Sequence, residues 1–257
     1  MAHLLYIEGS PRKARSASIE VADAALAAWR AADSTLTVDT LDVWSEELPD
    51  FDGPVMEAKY AALSGTPLTE EQASAWSSIR KLAARFHAAD ALVLAAPLWN
   101  FGVPYRLKQL IDVVSQKDLL FSFDERGFGG LLPGRTALLI CARGLDYSPS
   151  AYTPAGTYDF QKPYLETWLR FIGISNIETV TVEKTLFGPE ADGASRAAAK
   201  AYAAEAVHRC ADLVNEEAAL RRPLTVRQRR GLREDSSGYD VRDGSLLDQS
   251  RPERAGR

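Results

Sequence analysis

Two stretches of the chain hold residues whose types and spacing suit binding chemistry. The first is GSPRKARSAS, residues 9–18, which follows the apolar run HLLYIE and leads into an alanine-rich segment. Ser10, Ser16 and Ser18 can donate hydroxyls and Arg12 can add positive charge. If a helix starts here, the backbone N–H groups around Arg15 to Ser18 complete a cradle for one phosphate. The same residues also suit an ordinary helix N-terminus with serine caps and solvated charges. The second stretch is PLWNFGVPYRLKQLID, residues 97–112, where Pro97, Trp99, Asn100, Phe101 and Gly102 form a loop running into a helix begun by Pro104. Flat aromatic surface, a side-chain amide and exposed backbone N–H groups fit a planar heteroaromatic ring with a polar edge. Read as packing alone, Trp99 and Phe101 would plug the end of a sheet.

The side chains that do acid–base or nucleophilic work elsewhere are scattered here. His3, His87 and His208 sit in unrelated segments, and no Ser/His/Asp, Cys/His or paired-carboxylate pattern stands out. Cys141 and Cys210 are far apart with no CxxC spacing, so neither a zinc site nor a disulfide framework is suggested. Two nucleotide templates also fail. GSPRKARSAS lacks the G-x-G-x-x-G of a dinucleotide fold. GGLLPGRT, residues 129–136, imitates a Walker loop, but Arg135 replaces the lysine and the segment precedes a strand instead of following one.

The elements that must position the two stretches alternate along the chain. Short β-rich runs at 3–8, 36–43, 91–98, 136–143 and 176–183 are separated by helical patterns at about 16–32, 69–89, 104–116, 158–172 and 193–219. That rhythm builds a parallel α/β sheet. Runs one, three and four are almost continuously apolar, as central strands covered on both faces must be; runs two and five alternate with polar residues and belong at or near the edges. Ile19, Ala22, Leu26 and Trp29 form the apolar stripe of the first helix, and Thr69 with Gln72 reads as a capping box on the second. Breaks fall at 49–54, 65–67, 127–134 and 154–156. In such a sheet ligands bind at the carboxyl ends of the strands beside the first strand, which is where residues 9–18 and 97–102 lie.

Composition bounds the rest. The 257 residues suffice for one domain, 1–220, followed by an Arg-rich tail, 221–257, whose few aliphatics lack a period and whose composition reads as disordered. The net charge of −5 divides into +4 on that tail, with ten Arg against six Asp and Glu, and −9 on the remainder. An acidic body argues against nucleic acid as the partner. With no signal-peptide pattern, no apolar run long enough for a membrane helix and unpaired cysteines, a cytoplasmic protein is expected.

In combination, the segments GSPRKARSAS, APLWNFGVPYRLKQLID, FSFDERGFGGLLPGR, ARG and PYLETWLRFIGI resemble, in order and spacing, the FMN-dependent NADH-azoreductases, which are also NAD(P)H:quinone oxidoreductases. The resemblance covers about residues 3–215 and implies a flavodoxin-like three-layer sandwich with a five-stranded parallel sheet in the order 2-1-3-4-5. It matches Ser10, Ser16, Ala17 and Ser18 to the FMN phosphate loop, where Arg12 can add charge. It matches Leu98, Trp99, Asn100 and Phe101, which follow Pro97, to the segment along the isoalloxazine, and Ala142, Arg143, Gly144 and Leu145 to a third flavin-contacting loop. Four departures bear on the acceptor. The usual Ser-Arg-Gly-Gly is ARGL, Trp99 replaces a tyrosine, the usual Gly-x-Thr-Phe-x-Tyr run is Asp118, Leu119, Leu120, Phe121, Ser122, Phe123, and the loop GLDYSPSAYTPAGTYDFQ is longer than usual.

The resemblance further implies an enzyme in which NADH or NADPH reduces FMN and leaves, after which a quinone, azo or nitro compound, or a related biosynthetic intermediate, takes two electrons. No protein catalyst is needed, because the flavin N5 accepts and donates hydride itself. The resemblance also implies a homodimer in which Phe123 and Phe171 cover the partner's open flavin face. The alternative readings are a flavodoxin-like electron carrier that does not oxidise NAD(P)H and a scaffold that has lost its flavin.

Overall fold

Five parallel strands form the centre of the computed structural model, which describes residues 1–220. They are β1 (His3–Glu8), β2 (Thr37–Asp42), β3 (Ala91–Pro97), β6 (Thr136–Ala142) and β7 (Asn176–Val182), in the order β2-β1-β3-β6-β7. Counted among the sheet strands alone, this is the expected 2-1-3-4-5 topology. The numbering differs because a separate antiparallel hairpin, β4 (Phe121–Asp124) with β5 (Gly127–Gly130), lies between the third and fourth sheet strands. The break expected at 127–134 covers the second strand of this hairpin. The Arg-rich tail lies outside the described residues, and Met1–Ala219 forms one compact unit.

Helices cover both faces. On one face Leu4, Tyr6, Val93, Ala95, Leu138 and Ile140 meet α1 (Ala17–Ala32) and α7 (Pro189–Leu220), through Val21, Ala25, Trp29, Ala203 and Val207. On the other, Leu5, Ile7, Leu92, Leu94 and Leu139 meet four helices: α2 (Gly53–Ser64), α3 (Glu70–Ala88), α4 (Tyr105–Val114) and α6 (Gln161–Phe171). The remaining helix, α5 (Ala155–Tyr158), is a single turn within the long loop after β6. The central strands are buried on both faces, so their apolar residues are continuous; β2, at an edge, is only partly covered, with Leu41 its one buried residue.

Local signals set several boundaries. The Thr69 hydroxyl accepts the Gln72 amide at 3.3 Å while the Gln72 side chain accepts the Thr69 amide at 3.1 Å, the reciprocal cap that starts α3. The sequence reading missed α2 because Gly53 and Pro54 resemble a break. Pro54 instead stands in the first turn, where its missing N–H costs nothing, and Gly65 closes the helix with a left-handed φ of 70°. The hairpin packs on the end of α6 by backbone contact. A Cβ at Gly130 would collide with Ile172 and Gly173, so the glycine is required there.

Candidate functional site

Three loops leave the C-terminal ends of adjacent strands. The register pairs Glu8 with Ala95 and Pro97 with Ala142, and the pairing continues past the strand ends through Gly9 N–H to Ala95 O (2.8 Å) and Leu98 N–H to Ala142 O (2.7 Å). Loops 9–16, 98–104 and 143–160 therefore open side by side at the switch point, between β1 and β3 and onward to β6. Gly9 permits the first approach, because a Cβ there would stand 2.9 Å from the Ala95 carbonyl oxygen.

The first loop ends in a buried helix start. Ser10, Ser16, Ala17 and Ser18 are all buried, and Ser16 is the N-cap of α1. The Ser16 hydroxyl makes no cap to the helix amides; it lies 3.1 Å from the Ser18 hydroxyl. A buried N-terminus whose first amides lack acceptors is unfavourable unless something occupies it, and amides plus three hydroxyls are the donor set for a phosphate. Arg12 and Arg15 are exposed and, among the described residues, form no ion pair. Lys13 differs: its ammonium bridges Glu8 at 2.6 Å and Asp42. Desolvation opposes that charge, but the hydrogen bonds it donates to Asp42 and Glu8 outweigh it and hold the ammonium above its usual range.

In the second loop, Trp99 and Gly102 exchange backbone hydrogen bonds of 3.1 and 2.9 Å. Asn100 and Phe101 between them take positive φ, 46° and 70°, the conformation of a two-residue I′ turn. Among the described residues, the amides of Asn100, Phe101, Gly144 and Leu145 donate to no protein acceptor. Four amides without a protein acceptor and the Trp99 and Phe101 rings thus lie on the loops of two adjacent strand ends, a donor set suited to a flat ring with carbonyl and nitrogen acceptors along one edge. Pro97 and Leu98 are half-buried beneath them.

The third loop is braced from behind. Lys184, Thr185 and Leu186 donate their amides to Leu145, Arg143 and Gly144 carbonyls at 3.1, 3.4 and 3.0 Å. The Arg143 guanidinium is buried against Asp159 (2.8 Å) and Glu183 (3.5 Å), with Tyr147 packed 5.0 Å below it. Its charge is therefore taken up within the protein, and the loop presents backbone to the region beside Trp99. Ala142 is buried and Leu145 is exposed at the rim.

Sequence reasoning missed the residues that tie these loops together. Trp44 follows β2 and donates its indole N–H to Gly9 O at 3.1 Å; its ring lies 5.7 Å from Trp99 and 5.2 Å from Tyr105. At the start of α6, Asp159 accepts the Gln161 and Lys162 amides at 3.0 Å each. The Phe160 amide donates to Phe101 O at 2.9 Å and the Gln161 side chain to Ala96 O at 3.1 Å. An Asp just before a helical pattern is a readable cap signal; its reach to Arg143 is not.

Phe123 and Phe171 are placed apart from this region. Phe171 ends α6, which starts beside Ala96 and runs back toward the opposite end of the sheet. There it contacts Phe121 (4.8 Å) and Phe128 (5.5 Å), while Phe123 meets Phe128 at 4.9 Å. Leu165, Trp168 and Ile172 of the same segment are buried, whereas Phe171 is half-exposed. Between α4 and α6 a groove of about 900 Å³, lined by Val103, Tyr105, Phe160 and Tyr164, opens beside Gly102.

The three histidines are dispersed. His3 contacts Thr37 at 2.8 Å, His87 contacts the Leu119 carbonyl at 2.6 Å, and His208 is exposed on α7. Among the described residues no group of three His, Cys, Asp or Glu side chains is placed to hold a metal ion, and no helix is long and apolar enough to cross a membrane.

Comparison with known proteins agrees with this geometry. The family model for the flavodoxin-like fold matches residues 2–206. The chain is 53% identical over 189 residues to FMN-dependent NADH:quinone oxidoreductase 9 of Burkholderia lata, covering 73% of this chain and 90% of that protein. It is 50% identical over 200 residues to FMN-dependent NADH:quinone oxidoreductase 3 of Pseudomonas fluorescens, covering 77% and 93%. Among solved structures, an FMN-dependent NADH-azoreductase from Bacillus anthracis in complex with FMN superposes with a TM-score of 0.74 at 25% identity, covering 81% of this chain and 99% of that one. With a flavodoxin-like fold over residues 2–206 and half of its aligned residues shared with these relatives, the chain belongs to the flavodoxin-like family, among the FMN-dependent NADH:quinone oxidoreductases.

Proposed function

We infer that this protein is an FMN-dependent NAD(P)H oxidoreductase that delivers two electrons to quinones, with azo and nitro compounds as further acceptors, in a ping-pong sequence. The observation that carries the reading is the pairing of a buried, uncapped helix start bearing Ser10, Ser16 and Ser18 with four free amides on the next two strand ends. The names of the relatives support the chemistry.

When bound, FMN supplies hydride acceptance and donation at N5. The protein's own residues bind and polarise. Ser10, Ser16, Ala17 and Ser18 would hold the phosphate through hydroxyls and helix amides, with Arg12 adding exposed charge. Leu98, Trp99, Asn100 and Phe101 would lie along the ring, on a turn held by Pro97 below and by Phe160 from the side. The free amides of residues 100, 101, 144 and 145 would stabilise negative charge on the pyrimidine edge of the reduced ring. Arg143 would act through the fold, holding the loop from Ala142 to Leu145 in place.

The working unit in this reading is a homodimer. Phe123 and Phe171 cluster at the end of the sheet away from the loops of their own chain, so they could cover only the site of a second copy. The apolar groove between α4 and α6 offers a surface for that copy. A cytoplasmic setting fits the supply of NAD(P)H and two buried, unpaired cysteines.

Anaerobic mixing of the flavin-loaded protein with NADH or NADPH, followed by a quinone, tests the function. The expected result is rapid bleaching of the flavin band by one or both nucleotides and its return on addition of quinone. A protein that binds FMN but is reduced by neither nucleotide is an electron carrier, and one that FMN cannot reconstitute is a scaffold without flavin.

A further inference from the structure

The helix start read as the phosphate site has two carboxylates beside it. Glu8 and Asp42 end β1 and β2 and are register partners, and Glu8 stands two residues before Ser10. Both side chains are largely withdrawn from solvent, at 14% and 19% exposure. Two carboxylates at this edge would repel a bound phosphate.

Lys13 answers both. Its ammonium lies 2.6 Å from Glu8 Oε1 and also contacts Asp42 Oδ2. To reach them its backbone takes a φ of 50°, a left-handed conformation that long side chains rarely adopt. Its neighbours Arg12 and Arg15 have no ion pair among the described residues, so of three cations in the loop only this one is committed to carboxylates. The Lys13 side chain is itself 47% exposed, and an isolated pair of that kind does not need a strained backbone. A bridge across two strand ends at the mouth of an anion site has a reason to keep one.

We propose that Lys13 is a positioning residue that screens the FMN phosphate from Glu8 and Asp42, leaving the serine hydroxyls and helix amides to make the contacts. The proposal rests on the reading of residues 10–18 as the phosphate loop.

The test is the dissociation constant of FMN, and of riboflavin, which lacks the phosphate. Both are read from flavin fluorescence released on dilution of the full-length protein at low and high salt. Lys13→Met should weaken FMN about tenfold at low salt, less at high salt, and leave riboflavin unchanged. In a Glu8→Gln, Asp42→Asn background, where shape and hydrogen bonding persist without charge, Lys13→Met should have no further effect. Unchanged FMN affinity in Lys13→Met overturns the proposal. So does an equal loss for riboflavin, which would make Lys13 a support for loop shape. A penalty that persists in the neutralised background also overturns it, because Lys13 would then touch phosphate directly. Failure of the unsubstituted protein to bind FMN would remove the phosphate-loop reading itself.

Discussion

The Arg143 guanidinium and the Asp159 carboxylate meet at 2.8 Å with both side chains 4% exposed. The other Asp159 oxygen accepts two amides at the start of α6, while Phe160 and Gln161 bond Phe101 and Ala96. Three consecutive residues thus fasten the second and third strand-end loops to one helix. Asp159→Asn removes the closer partner of a buried guanidinium and leaves it only Glu183 at 3.5 Å, so it should cost about 3–5 kcal/mol. The melting temperature should fall by roughly 6–20 °C. The double variant Arg143→Met, Asp159→Asn, which keeps an oxygen for the two α6 amides, should recover much of that stability but not substrate turnover, since the loop loses its directional tie. Equal melting temperatures for Asp159→Asn and the unsubstituted protein would show that the pair contributes nothing.

Trp44 joins the first loop to the second, through its indole N–H on Gly9 O and its ring against Trp99 and Tyr105. Trp44→Phe removes one hydrogen bond, worth about 1 kcal/mol, and Trp44→Leu also removes ring contacts worth about 1 kcal/mol each. Urea unfolding should rank the variants in that order. A shifted visible spectrum of bound flavin in Trp44→Leu would report the movement of Trp99.

Phe171 is half-exposed on a phenylalanine cluster remote from its own strand-end loops. Phe171→Leu, which keeps most of the packing volume, should leave FMN content unchanged and raise KM for quinone severalfold. Sedimentation should give a dimer of 28.1 kDa chains. A fully active monomer at assay concentration would end the shared-site reading.

Both cysteines are buried, and burial pushes each thiol up to about 12. Thiolate is the reactive form, so an aromatic disulfide reagent at pH 8 should modify neither in the folded protein and both after denaturation. Reaction of one thiol without unfolding would reveal local opening around α7 or β6.

Several carboxylates titrate below their usual range. Glu20 is held down by Lys200 and Arg196, Asp39 by Arg85, and Asp146 to about 2 by the Ser148 amide and Lys184. A depressed carboxyl adds stability above its unfolded value and loses it as the pH falls through the folded one. Asp23, raised by burial, acts in the opposite sense. The melting temperature should therefore hold from about pH 7 to 5 and decline between about pH 4.5 and 2. Glu20→Gln should lower the plateau and make the decline shallower.

Much of the fold is written in short-range pattern. The apolar runs at 3–8, 91–97 and 136–142 are continuous because helices cover both faces, and the stripe Ile19, Ala22, Leu26, Trp29 is buried because α1 turns that side to the sheet. Thr69 and Gln72 act within one helical turn, so their cap needs nothing distant. The strand-end position of residues 9–18 and 97–102 follows from the alternation of strand and helix alone.

What the sequence left open depends on contacts far apart in the chain. Four residues each, FSFD and GFGG, are too few for an alternation to stand out, and the second strand is mostly glycine; the hairpin becomes visible only once Gly130 rests on Gly173. Lys13, Trp44 and Asp159 look like solvated or surface residues until the fold brings Asp42 to Lys13, Gly9 to Trp44 and Arg143 to Asp159. Local spacing determines which residues line the site, because it follows the helix and strand periods. Which of them bind and which hold the others in place is decided by tertiary packing, because only burial and a fixed partner tell a free amide or hydroxyl from a satisfied one.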